Sequence, residues 1–67
     1  MSLKKRSFTL SGHRTSVALE AEFWAVIDEC AQKQGKSLAA LVAQIDATRE
    51  KRPLASALRL YALAAKQ

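Results

Sequence analysis

The side chains that could carry chemistry in this 67-residue chain are few and scattered. His13 has no acid–base partner nearby in the sequence, and beside Arg14 it suits a turn or a phosphate contact better than general-base work. Cys30 falls on an apolar stripe, where a free thiol behaves as a small buried hydrophobe. A single cysteine excludes an internal disulfide, and one cysteine with one histidine falls short of the four ligands of a usual zinc site. Gly35-Lys36-Ser37 echoes the end of a phosphate-binding loop, yet Cys30 stands where that loop needs its first glycine, and a helix precedes it where a strand is required. Asp46 and Arg49, three residues apart, suit a minor surface ion pair. No carboxylate pair or metal-ligand cluster appears, so neither an enzyme nor a cofactor is expected.

Charge is more informative. The net charge of +5 is uneven: residues 1–19 hold Lys4, Lys5, Arg6 and Arg14 and no acid, whereas residues 20–67 hold seven bases against six acids. A basic segment beside a strand suits a polyanion, either nucleic acid or an anionic membrane surface. The longest apolar runs, Leu38 to Ala43 and Leu60 to Ala65, are six residues long, against about 18 for a membrane span. Ser7 to Gly12 is too short and polar for the apolar region of a signal peptide, and Ser2 stands where myristoylation needs glycine, so a cytoplasmic protein is expected.

The elements that must position these residues follow from periodicity. From His13 to Glu20, Thr15, Val17 and Leu19 alternate with Arg14, Ser16 and Ala18, which predicts a half-buried strand. Such a strand needs a partner strand and a cover for its apolar face. Residues 1–12 are expected to form a basic arm, in which Ser7 to Leu10 is a second, weaker alternating segment, a short strand or part of the arm, ending at the turn signal Ser11-Gly12. Phe23, Val26, Ile27, Cys30, Ala31 and Gln34 predict a helix over about residues 20–34, with Trp24 beside the stripe as a core or dimer contact and Gly35 as a left-handed cap. Ser37 is placed to cap a second helix over about residues 38–50, and Pro53 to start a third over about 54–66. Ten of the twelve residues from Leu54 to Ala65 are apolar, so the third helix is expected to be buried on several sides. In a chain this short, that burial implies a second subunit or another protein.

Strand, helix, glycine-containing turn and helix over residues 13–50, with HRTSVALE at 13–20 and GKSLAALV at 35–42, resemble the ribbon-helix-helix family, the MetJ/Arc-like bacterial repressors, and most closely a small-protein branch with a C-terminal extension such as residues 53–67. The resemblance implies a mainly α fold with one β-ribbon, an intertwined homodimer in which strands of two subunits pair antiparallel, and entry of that ribbon into the DNA major groove. It places Arg14, Ser16 and Ala18 on the base-reading face. Arg14 can bond both O6 and N7 of guanine, worth about 1–3 kcal/mol of discrimination, and Ser16 can bond several bases. Ala18 departs from the polar residue usual at the third reading position and offers at most contact with a thymine methyl group.

The resemblance also puts a DNA phosphate at the N-terminus of the second helix, beside Lys36 and Ser37, where free amides and the helix dipole suit an anion. Lys4, Lys5, Arg6 and His13 are further phosphate candidates. The expected partners are double-stranded DNA and a second copy of the chain, with room for higher oligomers and no membrane. The expected function is sequence-specific DNA binding in transcriptional regulation. The rival reading is an adaptor or antitoxin-like module that docks a protein through residues 54–65.

Overall fold

A two-residue loop, Ser11-Gly12, folds the N-terminal segment back on itself. In the computed structural model, which describes residues 2–67, this loop joins strand β1 (Leu3–Leu10) to strand β2 (His13–Glu20). Both loop residues have positive φ, 52° at Ser11 and 80° at Gly12, as a type I′ hairpin turn demands. Glycine carries this at no steric cost, and serine carries it under mild strain. The strands pair antiparallel with Leu10 opposite His13, Phe8 opposite Thr15 and Leu3 opposite Glu20. Within the chain β2 thus pairs with β1 along one edge, and no strand among the described residues covers its other edge. Lys4, Lys5 and Arg6, expected in a basic arm, lie inside β1.

The pleat sends alternate residues to opposite faces. Arg6, Phe8 and Leu10 of β1 share the inner face with Thr15, Val17 and Leu19 of β2, and Phe8, Leu10, Val17 and Leu19 are buried. Because Leu10 and His13 close a two-residue hairpin, they form a hydrogen-bonded pair, and so do Phe8–Thr15, Arg6–Val17 and Lys4–Leu19. The backbone amides and carbonyls of Arg14, Ser16, Ala18 and Glu20 then point away from β1, to the unpaired edge of β2.

Three helices cover the inner face: α1 (Ala21–Gln34), α2 (Leu38–Thr48) and α3 (Leu54–Ala65). Glu20 ends β2 and is at once the extended N-cap of α1, so strand and helix meet without a loop. The buried line of α1 is Trp24, Ile27 and Ala31, with Phe23, Val26 and Cys30 packed at its margin. Trp24, expected beside the stripe, is at its centre. Gly35 closes α1 in the left-handed conformation, φ 67° and ψ 30°, its amide donating to the Gln32 carbonyl while the Lys36 amide donates to that of Ala31. Ser37 caps α2 by accepting from the Ala40 amide at 3.1 Å. Leu41, Val42 and Ile45 bury the inner side of α2.

α3 was expected to need a second protein for its apolar surface. It buries Leu54, Ala57, Leu58 and Ala62 within its own chain, against β2, α1 and α2. Its polar residue Arg59 lies over the Phe23 ring and bonds the Glu20 carboxylate at 3.0 Å, which clamps the β2–α1 junction. Gln34 donates to the Tyr61 hydroxyl and Lys66 to Glu29 along the same contact. Leu60 and Leu63, about half exposed at 45% and 53%, keep apolar surface outside together with the exposed Ala64 and Ala65 at the helix end.

Candidate nucleic-acid interface

The outer face of the hairpin is built from the residues that the pleat turns away from the helices. In register, Leu3 faces Glu20, Lys5 faces Ala18, Ser7 faces Ser16 and Thr9 faces Arg14. Hydroxyls and cations fill the middle of this face: the Ser7 and Ser16 Oγ atoms are hydrogen-bonded at 3.0 Å, and Lys5, Thr9 and Arg14 are exposed around them. Glu20 is the one acid in the two rows. Hydrogen bonding, first from its own backbone amide and then from Arg59, holds its carboxyl below the usual carboxylate value, so its charge is neutralised by Arg59. Among the described residues, no ion pair engages Lys4, Lys5, Arg14 or Lys36. The face thus offers two free cations and three hydroxyls on a rigid two-stranded support.

Arg14, Ser16 and Ala18 alternate on β2 along that face, with Ala18 partly covered. Lys5 joins them from β1. Arg6, expected at a phosphate, faces the helices: its guanidinium bonds both Asp28 oxygens at 3.0 and 3.3 Å and lies 4.7 Å from the centre of the Trp24 ring. An even position on β1 points inward, and there a planar cation lies over an indole while one terminal nitrogen, Nη1, meets a carboxylate. Lys4 shares that parity at the strand's open end, where its side chain is exposed and its carbonyl accepts from the Trp24 indole at 2.7 Å. His13 is exposed beside the turn.

At the far end of α1, the exposed Lys36 donates through Nζ to the Gln44 side chain, and Ser37 is committed to its cap. The cap satisfies one amide of the first turn of α2 and leaves those of Leu38 and Ala39 without an intrahelical acceptor, as every helix start does. Ser7 and Thr9 are the outer-face residues that the sequence reading passed over. The signal for them was present in the alternation of Lys5, Ser7 and Thr9 with Arg6, Phe8 and Leu10, masked by the charge run that made residues 1–6 look like a tail.

A two-stranded antiparallel ribbon feeding two helices through a glycine turn, with a third helix docked on them, defines a ribbon-helix-helix fold. The family model for the ribbon-helix-helix domain matches residues 3–65, nearly the whole chain, and the chain belongs to that family. The family generally binds DNA in transcription regulation, and its domains generally dimerise. No curated protein and no solved structure matches the chain.

Proposed function

We propose that this chain is a sequence-specific, double-stranded DNA-binding protein of the cytoplasm that regulates transcription as a homodimer. The observation that supports it most is the outer face of the hairpin, where Arg14, Ser16 and Lys5 stand exposed with no carboxylate partner on a chain that buries its apolar residues on the other side. In this reading Arg14 and Ser16 contact base edges in the major groove, and Ala18 adds little beyond shape. Lys4, Lys5, Lys36 and His13 meet phosphates, and the Ser37-capped start of α2 holds another through its free amides. Arg6 serves the fold and contacts no DNA. DNA fragments recovered with the tagged protein should share a short palindrome, as two copies related by a two-fold axis require; recovery indistinguishable from randomly sheared DNA would reject the proposal.

The adaptor reading rests on Leu60 and Leu63, exposed leucines on α3 that form a small apolar surface away from the ribbon residues. Two leucines are a modest patch, since single exposed apolar residues are normal on a protein surface. The DNA reading has the larger set of unpartnered groups behind it.

A further inference from the structure

The two strands together carry one acid, Glu20, and the register puts it on the outer face beside the cations that the proposed function uses. Glu20 stands opposite Leu3, two residues along from Ala18, which stands opposite Lys5. Glu20 and Lys5 are therefore diagonal neighbours on one face, with Cβ atoms about 7–8 Å apart, a gap that two long side chains span. A free carboxylate there would neutralise Lys5.

Arg59 of α3 prevents this. Its Nε donates to Glu20 Oε1 at 3.0 Å, and its guanidinium lies 5.9 Å from the centre of the Phe23 ring. Both side chains of this pair are about a third exposed, whereas Lys5 is exposed to solvent. A partly shielded pair held by a packed helix outcompetes one between solvated, mobile side chains, which costs side-chain entropy for little Coulomb energy. Leu58 and Ala62, both buried, anchor α3 beside Arg59, so the guanidinium reaches the end of β2 from a fixed base. Arg59 is the one charged residue of α3, a helix whose burial by itself calls for no cation at this position.

We infer that Arg59 is a positioning residue for the DNA-binding face: by holding the Glu20 carboxylate at the β2–α1 junction it keeps Lys5 free, so a residue of the third helix sets the charge of the ribbon. The inference rests on the DNA-binding reading proposed above. With Glu20 held, the outer rows present Lys5 and Arg14 as free cations; with Glu20 released, Lys5 is paired and Arg14 alone remains. Arg59 itself touches no DNA and acts through Glu20.

Zero-length carbodiimide coupling of the whole chain, followed by peptide mass mapping, reads the pairing without DNA. The parent should give no amide between Glu20 and Lys5. Arg59→Met, which keeps an unbranched stem over Phe23 and removes the cation, should give one. A ready link between Glu20 and Lys5 in the parent, or none in the folded variant, would overturn the inference whether or not the chain binds DNA. Salt titrations on a mixed-sequence duplex, compared at equal folded fraction, read the consequence. Arg59→Met should flatten the slope of log K against log salt by about one for each subunit bound, and adding Glu20→Gln should restore the parent slope. A flattened slope that Glu20→Gln does not restore would make Arg59 a phosphate contact in its own right, and an unchanged slope would make it a structural clamp only; either overturns the positioning role. A parent without duplex affinity would overturn the DNA reading, while the carbodiimide result would still decide where Glu20 is held.

Discussion

The indole N–H of Trp24 donates to the carbonyl oxygen of Lys4 at 2.7 Å, tying the first helix to the first strand at the end farthest from the hairpin turn. The same ring touches Phe8, 6.0 Å between centroids, and carries Arg6 above it. Trp24 therefore does for β1 what a longer apolar row does in most strands. Trp24→Phe keeps most of the packing and deletes the bond, so it should cost about 1–2 kcal/mol in urea unfolding. The amides of residues 3–6 should exchange faster than those near the turn. Uniform exchange along β1 would mean that the bond does not anchor it.

Arg6→Ala removes an ion pair that is about two-fifths exposed on both sides together with a cation–π contact. Solvent screening keeps the ion pair small, and the two contacts together should be worth about 1 kcal/mol. Duplex affinity should change little once the variant is folded, in contrast to variants of Lys5 or Arg14. A loss of affinity as large as theirs at equal folded fraction would return Arg6 to the phosphate contacts.

The helices and β2 were legible in the sequence because each follows one period and carries its own stop signals: Gly35, Ser37 and Pro53 punctuate the helices, and Thr15, Val17 and Leu19 mark the strand. β1 was half hidden. Its inner row has Arg6 where an apolar residue would have declared a strand, and only the indole and carboxylate waiting on α1, in Trp24 and Asp28, make an arginine acceptable there. Nothing local in Leu3 to Arg6 encodes that meeting, which spans about 20 residues of chain. The part of the α3 burial that lies within the chain is hidden for a related reason. Composition says that a helix is apolar nearly all round, but only the fold says that β2, α1 and α2 of the same chain leave a groove for it. The alternation Arg14, Ser16, Ala18 was readable because it lies on one strand; the companion row Lys5, Ser7, Thr9 needed the hairpin register.

Ser11 holds φ at 52° in a turn position that asparagine occupies with less strain. Ser11→Asn should stabilise the chain by about 0.5 kcal/mol, measured as a higher urea midpoint at an unchanged m-value. A lower midpoint would show that the turn is not of the type its φ angles indicate.

Glu20 and Glu29 both have carboxyls held below their ordinary value: Glu20 by hydrogen bonds from its own backbone and from Arg59, Glu29 by the bond from Lys66 with the charge of Lys33. A lowered folded-state pKa means that the native state favours the ionised form. The resulting stability is in full force above the ordinary carboxylate value of 4.5 and fades as pH falls through the lower folded values. Glu20→Gln should therefore be less stable than the parent at neutral pH, and the two should converge in acid. A gap that widened below pH 4.5 would contradict the Arg59 clamp.

Leu58 is fully buried on α3, and Leu58→Ala should cost about 2–5 kcal/mol, a large share of the stability of a domain this small. Leu60→Ser with Leu63→Ser should leave thermal stability within about 0.5 kcal/mol if these residues are free surface. A marked loss of stability or of oligomer order in the double variant would place Leu60 and Leu63 in an interface, and the adaptor reading of α3 would gain accordingly.

The central claim is that the outer face of the ribbon binds DNA, and a salt titration of duplex binding with the parent chain and Arg14→Ala tests it most directly. On a duplex carrying the selected palindrome, Arg14→Ala should lose about 1–3 kcal/mol and relax the preference for one base pair in each half-site. Parent affinity for any duplex should fall steeply and linearly in log salt, as phosphate neutralisation by Lys4, Lys5 and Lys36 requires. A parent chain that binds no duplex more tightly than about 10⁻⁴ M near physiological salt, the weak limit of non-specific binding, would contradict the claim.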